Sequence, residues 1–477
     1  MITVAAYAAV LFAAALLSGR KADNDGFFTG NRRTNRYMAA AAMIGAAMSG
    51  VTFISVPGSV GHDAFSYMQM VAGFTVGQLV VAFVLVPLFY RLKVVSLYEY
   101  LEERFGTVSH KTGAWFFFVS KLAGASLKIY VVCTVMQALV FDAWGVPVAV
   151  NAAATTALVW LYTLRGGVKS LIWTDALHTL CLVASVALCT IFIIKAMDMS
   201  ASDAVSAVRE SPLSRMLFFD DPSSDRYFWK MFMAGVFVLI AMTGLDQDMM
   251  QRNLSCRTPR DSQVNIVITA VCQAVVIMMF LVLGGLMFIY MERTGMAVPA
   301  KGDLVFPAVA TSGGLPAVVG AVFVLGMIAS TWSSAGSALT ALTTSYTIDI
   351  AGARGEDETS LRRRRMRVHS AVAVSMFVAV LLFARLADDS AINLIFKVVS
   401  YTYGPILGMF CFGMLTRRRI RDSFMPFIAV AAPLLCALLQ HVASARFGYS
   451  IGFELLIYNA ALTAAGMFAA GCGYEKS

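Results

Sequence analysis

The feature that most constrains this chain is a series of long, nearly uncharged apolar blocks. The first three occupy residues 2–18, 37–57 and 67–90, and each approaches the ~20 residues that an α-helix needs to cross a bilayer core. Blocks of this length are too long for barrel strands, and backbone groups in lipid must bond within their own segment. Further blocks lie near 113–140, 146–164, 171–196, 228–249, 263–291, 317–345, 367–386, 390–415, 423–443 and 451–471. The sequence therefore predicts an all-α integral membrane protein with thirteen transmembrane helices in a single domain, residues 1–477.

Composition and charge distribution favour the same class. Hydrophobic residues make up 59% of the chain and charged residues only 14%, whereas soluble chains carry about 25% charged residues. The net charge of +9 comes from basic residues that crowd alternate loops, near 32–36, 91–104, 252–260, 362–365 and 417–419. This is the positive-inside pattern. It predicts a cell-membrane protein with an outer N-terminus and a cytoplasmic C-terminus, and it explains the charge without a nucleic-acid partner.

The chain carries no recognisable catalytic or metal signature. Its eight cysteines and five histidines are scattered, with no CxxC pair, and their spacing fits neither a zinc site nor a disulfide framework. An enzyme would need a nucleophile beside a base or a metal cluster, and we find neither. We therefore expect no enzyme, and a membrane sensor is the remaining alternative outside transport.

Function in a membrane protein usually lies where polar or irregular sequence occurs at membrane depth. The second predicted span contains Gly45, Gly50 and Pro57, which weaken a continuous helix, and it also carries the hydroxyls of Ser49 and Thr52. Small residues of this kind allow close packing between helices. They also allow a broken helix that presents free carbonyls, and the sequence leaves both interpretations open.

A related break falls in the seventh span, at 242–252, which contains a glycine and two aspartates. The second and seventh spans open two five-span halves, 37–196 and 228–415. Interrupted helices at corresponding positions of two halves indicate an inverted-repeat transporter. On this interpretation residues 1–18 form a leading helix and residues 423–471 form two trailing helices.

The ninth span carries a stripe of serines. Ser330, Ser333, Ser334 and Ser337 follow the spacing i, i+3, i+4 and i+7, so they share one helical face. A single serine satisfies itself by bonding back to its own helix, but four on one face indicate a site. Hydroxyl and carbonyl oxygens are the ligands that replace the water shell of a hard cation.

Three ionisable residues fall within predicted spans and need a partner or a cavity. Asp175 lies in the sixth span, and Lys121 and Lys128 lie in the fourth. A charge at the bilayer centre costs roughly 2.5–3.5 kcal/mol on insertion scales. Lys121 has the option of reaching the interface with its long stem, whereas Lys128 lies two turns deeper. Asp175 is either wet near the cytoplasmic end or part of a site.

Several patches resemble the sodium:solute symporter family in their order along the chain. Residues 96–106 (SLYEYLEERFG) look like the loop after the family's third span, and residues 404–408 (GPILG) also fit. Residues 162–175 (YTLRGGVKSLIWTD) are similar to its Y-T-x-x-G-G-x-x-A-V-x-W-T-D stretch. The resemblance covers nearly the whole chain. It implies the LeuT-type fold, a five-plus-five inverted repeat with two broken helices, and sodium-coupled import of a small solute.

The resemblance also implies sodium ligands. The family's common sodium site corresponds to backbone carbonyls of Gly45 and Met48 and to a carbonyl and two hydroxyls among Ser330, Ser333 and Ser334. Some members hold a second sodium at positions that correspond to Asp175, Ser333 and Ser337. One further hydroxyl of that second site falls on Gly336, which leaves the second sodium open.

For the solute, the resemblance favours an organic anion such as sialic acid or another carboxylate. Positions that bind sugar in sugar carriers fall mostly on residues that cannot hydrogen-bond a sugar. The pattern of sialic-acid carriers corresponds to Ser49, Thr52, Phe65, Gln69 and Lys128. Lys128 stands where those carriers have arginine, so the charge is kept but a bidentate fork is lost. A proton-coupled carrier, or a sugar or amino-acid carrier on the same fold, remains the alternative.

Overall fold

The computed structural model describes residues 2–19, 23–94, 96–164, 166–312, 314–353, 355–386, 391–447, 449 and 451–474. The first residues of the predicted segments 1–18 and 390–415 lie outside the described residues. Within these ranges the chain is almost entirely helical, and the predicted all-α class is confirmed. The exception is a short antiparallel pair of strands, β1 (Arg418–Ile420) and β2 (Gly471–Tyr474), which joins the loop before the last two helices to the C-terminal segment.

The helices of the first half follow the predicted spans. They are α1 (Ile2–Gly19), α2 (Asn24–Thr29), α3 (Arg36–Ala47), α4 (Gly50–Asp63), α5 (Tyr67–Val80), α6 (Val86–Leu92), α7 (Glu99–Arg104), α8 (Thr107–Met136), α9 (Val148–Thr163), α10 (Gly167–Ala196) and α11 (Ala201–Glu210). A π-helical turn at Val81–Leu85 joins α5 and α6 into one span, and another at Gln137–Phe141 extends α8.

The second half has the same kind of elements. They are α12 (Phe228–Leu239), α13 (Gln247–Leu254), α14 (Pro259–Thr294), α15 (Val305–Ser312), α16 (Ala317–Ser345), α17 (Glu358–Leu386), α18 (Ala391–Leu415), α19 (Met425–Phe447) and α20 (Leu455–Ala469). π-Helical turns at Ile240–Gly244 and Tyr346–Ile350 extend α12 and α16. Single 3-10 turns lie at Gly30–Arg32, Asp142–Trp144, Pro212–Ser214, Gly302–Leu304 and Asp422–Phe424.

Two spans are bent sharply, and they are the two that the sequence singles out. α3 and α4 meet at 62°, and α12 with its π-helical turn meets α13 at 65°. Sharp kinks in helices come from proline, glycine or an inserted group in the hydrogen-bond ladder. Glycine occurs at both bends here, as Gly50 and Gly244.

The number of membrane spans agrees with the sequence in part. Among the described residues eight helices are long and apolar enough to cross a membrane, or up to ten if each bent pair counts as one span. The other three predicted spans correspond to shorter apolar helices in α1, α9 and α20. The count of thirteen and the division into two repeats stay predictions, although each predicted half does begin with a broken helix.

α16 lies at the centre of the bundle. Every residue from Gly326 to Ser345 is buried, and the helix packs against α10, α8, α4 and α3. The serine stripe is therefore inside the protein, facing the first broken helix and α10. This placement puts polar oxygens where no lipid contacts them.

Candidate functional site

The first break lies at Met48 and Ser49. The Met48 amide donates to the carbonyl of Ile44 at 2.9 Å and ends α3, while Ser49 caps α4 in an extended conformation. The last four carbonyls of a helix have no intrahelical donor. The carbonyls of Gly45 and Met48 are among those that the break releases, as sodium ligation would require.

Close packing accompanies the break, so both interpretations of the small residues apply. A Cβ added at Gly45 would lie 2.7 Å from the Asp175 carbonyl oxygen, and one at Gly50 would lie 2.0 Å from the Thr331 hydroxyl. α3 therefore approaches the backbone of α10, and α4 approaches α16. Only glycine allows both approaches, and they bring the break and the serine stripe together.

Three of the four serines of α16 donate back to carbonyls of their own helix, and Ser333 is the exception. Ser330 and Ser334 donate back to carbonyls of their own helix, at 3.0 and 3.1 Å. Ser333 donates to Asp175 Oδ1 at 2.7 Å, and Ser337 lies 3.4 Å from Asp175 Oδ2. A hydroxyl that donates its proton keeps its lone pairs. The hydroxyl oxygens of Ser330, Ser333 and Ser334 can therefore still accept a cation, whereas that of Ser337 already accepts from Arg252.

Asp175 is not wet. The residue is fully buried and its Oδ2 accepts from Arg252 Nη2 at 2.7 Å. Arg252 is also paired with Asp248, whose Oδ2 lies 2.8 Å from the Lys121 ammonium, and Lys121 lies equally close to Asp246. We call Asp175, Arg252, Asp248, Lys121 and Asp246 the ion-pair network. Desolvating so many charges is costly unless each one is paired and hydrogen-bonded, and here each one is.

A cavity of about 130 Å³ lies between the two breaks. Its lining includes Met48, Ser49 and Thr52 at the first break, Asp246 and Asp248 at the second, and Ser334 from the serine stripe. Its apolar walls come from Val51, Tyr67, Phe74, Val238, Leu239, Met242, Met249, Ile277 and Val399. The cavity therefore joins both broken helices and the serine stripe in one place.

Lys128 lines this cavity without a direct ion-pair partner in the described part of the chain. Among the described residues it takes part in none of the hydrogen bonds or ion pairs found. Asp246 and Asp248 line the same cavity, but they are held by Lys121, Arg252 and the Tyr403 hydroxyl. Neither aspartate makes an ion pair with Lys128, whose ammonium therefore remains available to a ligand in the cavity.

Phe65 and Gln69 lie outside this cavity. Gln69 donates to the Arg226 carbonyl at 2.9 Å and accepts from the Phe218 amide at 2.9 Å, so it holds the segment before α12. The α5 residues that line the cavity are Tyr67 and Phe74. Successive residues turn by about 100° around a helix, so Gln69 points roughly opposite to Tyr67. The predicted role of Phe65 and Gln69 in solute binding has no support in this geometry.

Sequence reasoning missed other residues. Tyr403 donates to Asp246 at 2.6 Å, and Gln273 lines the cavity while accepting from Gln78 at 2.7 Å. Tyr403 directly precedes the GPILG patch, and this position was the only sequence feature that pointed to a role for Tyr403 in the site. The pairing of Lys121 with two aspartates of another helix had no signal at all, because helices far apart in sequence meet only in the fold.

The two broken helices around a shared polar site define an all-helical membrane fold of LeuT type, as predicted. A model of the sodium:solute symporter family matches residues 27–423. The match covers most of the chain, which therefore belongs to the sodium:solute symporter family.

Individual relatives agree with this family. The chain is 25% identical over 392 residues to the sodium-dependent multivitamin transporter of Oryctolagus cuniculus, covering 80% of this chain and 60% of that protein. It is 23% identical over 468 residues to the sodium/sialic acid symporter of Proteus mirabilis, covering 94% of this chain and 89% of that protein. The chain thus spans less than two thirds of the length of the multivitamin relative.

A solved structure shares the fold. It is described as the substrate-bound outward-open state of a Na⁺-coupled sialic acid symporter. It aligns with a TM-score of 0.84 at 19% sequence identity, covering 100% of this chain and 98% of that chain. At this identity the likeness establishes the arrangement of helices.

Proposed function

We propose that this protein is a sodium-coupled symporter that imports a small organic anion by alternating access. The observation that carries the proposal is Lys128, whose ammonium makes no ion pair or hydrogen bond among the described residues and lines a cavity between two broken helices. A buried charge needs a partner of opposite sign. An anionic solute supplies that partner.

The sodium substrate binds where the first break meets α16. Carbonyls of Gly45 and Met48 and oxygens of Ser330, Ser333 and Ser334 form its ligand set. Met48 and Ser334 also line the solute cavity. The sodium ion and the solute therefore share residues of the first break and of α16. If each binds better to the state in which these elements have closed, each increases the affinity of the other.

The solute is a carboxylate with a compact and mainly apolar body. Lys128 meets its negative charge, and Ser49 and Thr52 supply hydroxyls beside it. Several other polar groups around the cavity are already ion-paired or hydrogen-bonded within the protein. A cavity of about 150 Å³ holds a benzene ring, so 130 Å³ suits a single ring or a short chain. A polyhydroxylated acid such as sialic acid would find few free partners for its hydroxyls.

The protein lies in the cell membrane with its N-terminus outside and its C-terminus in the cytoplasm. The basic loops at 32–36, 91–104 and 417–419 support this orientation. Sodium that moves down its gradient into the cell then drives the import of solute. A proton-driven cycle would use Asp175 as its titrating group. That use is disfavoured because Asp175 is held by Arg252 and Ser333.

The test is the melting temperature of the purified protein in sodium and in choline. Sialic acid, short-chain and aromatic carboxylates, sugars and amino acids are added one at a time. A ligand that binds the folded state stabilises it by mass action, by about 2.7 kcal/mol at a hundred times its Kd. We expect a shift that needs both sodium and a compact carboxylate. A ligand shift that is the same in choline, or a shift produced only by neutral solutes, would contradict the proposal.

A further inference from the structure

The side chain of Arg252 is the most unusual group in the site. It comes from α13, beyond the second break, and only 2% of it is exposed. Its guanidinium donates to Asp175, to Asp248 and to the hydroxyl of Ser337. A guanidinium cannot be deprotonated in proteins and offers donors in a rigid fork. A permanent positive charge therefore lies between α10, α13 and α16.

The guanidinium of Arg252 occupies the carboxylate oxygen through which Asp175 would otherwise bind a metal ion. Oδ2 accepts from Arg252 Nη2 at 2.7 Å and from Nε at 3.3 Å, while Oδ1 accepts from Ser333 at 2.7 Å. A mobile cation at this carboxylate would have to displace the guanidinium. That displacement would leave Arg252 buried with one carboxylate fewer, which is strongly unfavourable.

α16 offers no extra ligand at this point. A Cβ added at Gly336 would lie 1.9 Å from the Tyr162 hydroxyl, and that hydroxyl donates to the Trp332 carbonyl. No side chain with an oxygen fits at position 336 while Tyr162 keeps this contact. The surroundings of Asp175 are thus built for a guanidinium, and they lack a further oxygen for a metal ion.

The charges around the cavity balance. Asp175, Asp246 and Asp248 are opposed by Arg252 and Lys121 in the ion-pair network, and by Lys128 on the cavity wall. One sodium ion and one monovalent anion preserve this neutrality. A second sodium would leave an uncompensated charge in a medium of low dielectric constant, where charge interactions are strong.

We propose that Arg252 acts as a built-in cation at Asp175, so that each transport cycle carries one sodium ion with one monovalent anion and moves no net charge. This inference rests on the proposed function, which supplies the sodium substrate and the anion. On this inference Asp175 positions the side chains of Ser333 and Arg252, and its carboxylate does not bind a transported ion.

The test counts bound sodium with ²²Na⁺ on the purified full-length protein, in the absence of solute. The unaltered protein is expected to bind one sodium. Arg252→Gln removes the guanidinium and is expected to bind two, because Asp175 is then free, whereas Arg252→Lys keeps the charge and stays at one. The double variant Asp175→Asn with Arg252→Gln returns to one, which would locate the second ion at Asp175.

The count for the unaltered protein keeps the test decisive if Arg252→Gln fails to fold, because the inference requires that count to be one. Two sodium ions in the unaltered protein, falling to one in Asp175→Asn, would overturn the inference and leave the proposed function standing. A folded Arg252→Gln protein that still binds one would also overturn it. No sodium bound by the unaltered protein would instead contradict the proposed function.

Discussion

The ammonium of Lys121 lies 2.8 Å from a carboxylate oxygen of Asp248, in an ion pair that joins α8 to the second broken helix. The lysine side chain is 14% exposed and the aspartate 4%. A pair buried this deeply contributes little net stability, but removing one partner leaves an uncompensated charge. The contact therefore makes the geometry of the second break depend on a helix from the first half of the chain.

Replacing Lys121 is expected to destabilise the protein. Lys121→Met leaves Asp246 and Asp248 with fewer counter-charges, and breaking a buried pair in this way costs about 3–5 kcal/mol. The melting temperature in detergent measures the loss. Lys111→Met is the matched control, because Lys111 lies on the same helix and is exposed. Equal melting temperatures for the two variants would show that the ion pairs of Lys121 do not stabilise the fold.

Replacing Lys128 is expected to weaken solute binding selectively. Lys128→Met removes the only positive charge proposed to meet the anion, and a charge-assisted hydrogen bond contributes about 1.5–3 kcal/mol, equivalent to roughly tenfold or more in Kd. The solute Kd, measured by thermal shift in sodium, should rise, whereas stabilisation by sodium alone should not change. Lys128→Arg should retain part of the affinity. An unchanged Kd in Lys128→Met would remove this residue from the solute site.

Replacing Ser333 is expected to raise the sodium requirement. Ser333→Ala removes a hydroxyl of the proposed sodium site that also donates to Asp175. Loss of about 1.4 kcal/mol corresponds to a tenfold higher half-saturating sodium concentration. Sodium-dependent uptake into proteoliposomes measures it. Ser375→Ala serves as control, since that exposed serine on α17 bonds only to its own helix, at Ala371. Unchanged sodium dependence in Ser333→Ala would refute the assignment.

Replacing Gln69 separates its two possible roles. Gln69→Leu keeps the volume but loses the bonds to Arg226 and Phe218. Because the side chain lies outside the cavity, we expect an unchanged solute Kd and faster proteolysis within residues 211–227. Limited trypsin digestion and thermal shift measure the two effects. A large increase in solute Kd with unchanged proteolysis would restore Gln69 to the solute site.

Much of the site was predictable because its residues break a pattern. Gly45, Gly50 and the serines of α16 are polar or small where the sequence is otherwise apolar, and Ser49 and Thr52 stand beside them. All of these lie where the two breaks and α16 meet. The i, i+4 spacing of Phe65 and Gln69 predicts a shared helical face, but Phe65 lies in the turn before α5, and only Gln69 lies on the helix. Which way the face points depends on how α5 packs against α12.

The sequence by itself determined the membrane class, the helical content and the positions of both breaks. Each of these depends on local properties: apolar length, glycine placement and the spacing of hydroxyls within one helix. The tertiary structure alone decided the charge partners. Asp175 meets Arg252 across 77 positions of the chain, and Lys121 meets Asp246 across 125. Such pairs form only when helices distant in sequence pack together, and their contacts leave Lys128 as the charge available to a solute.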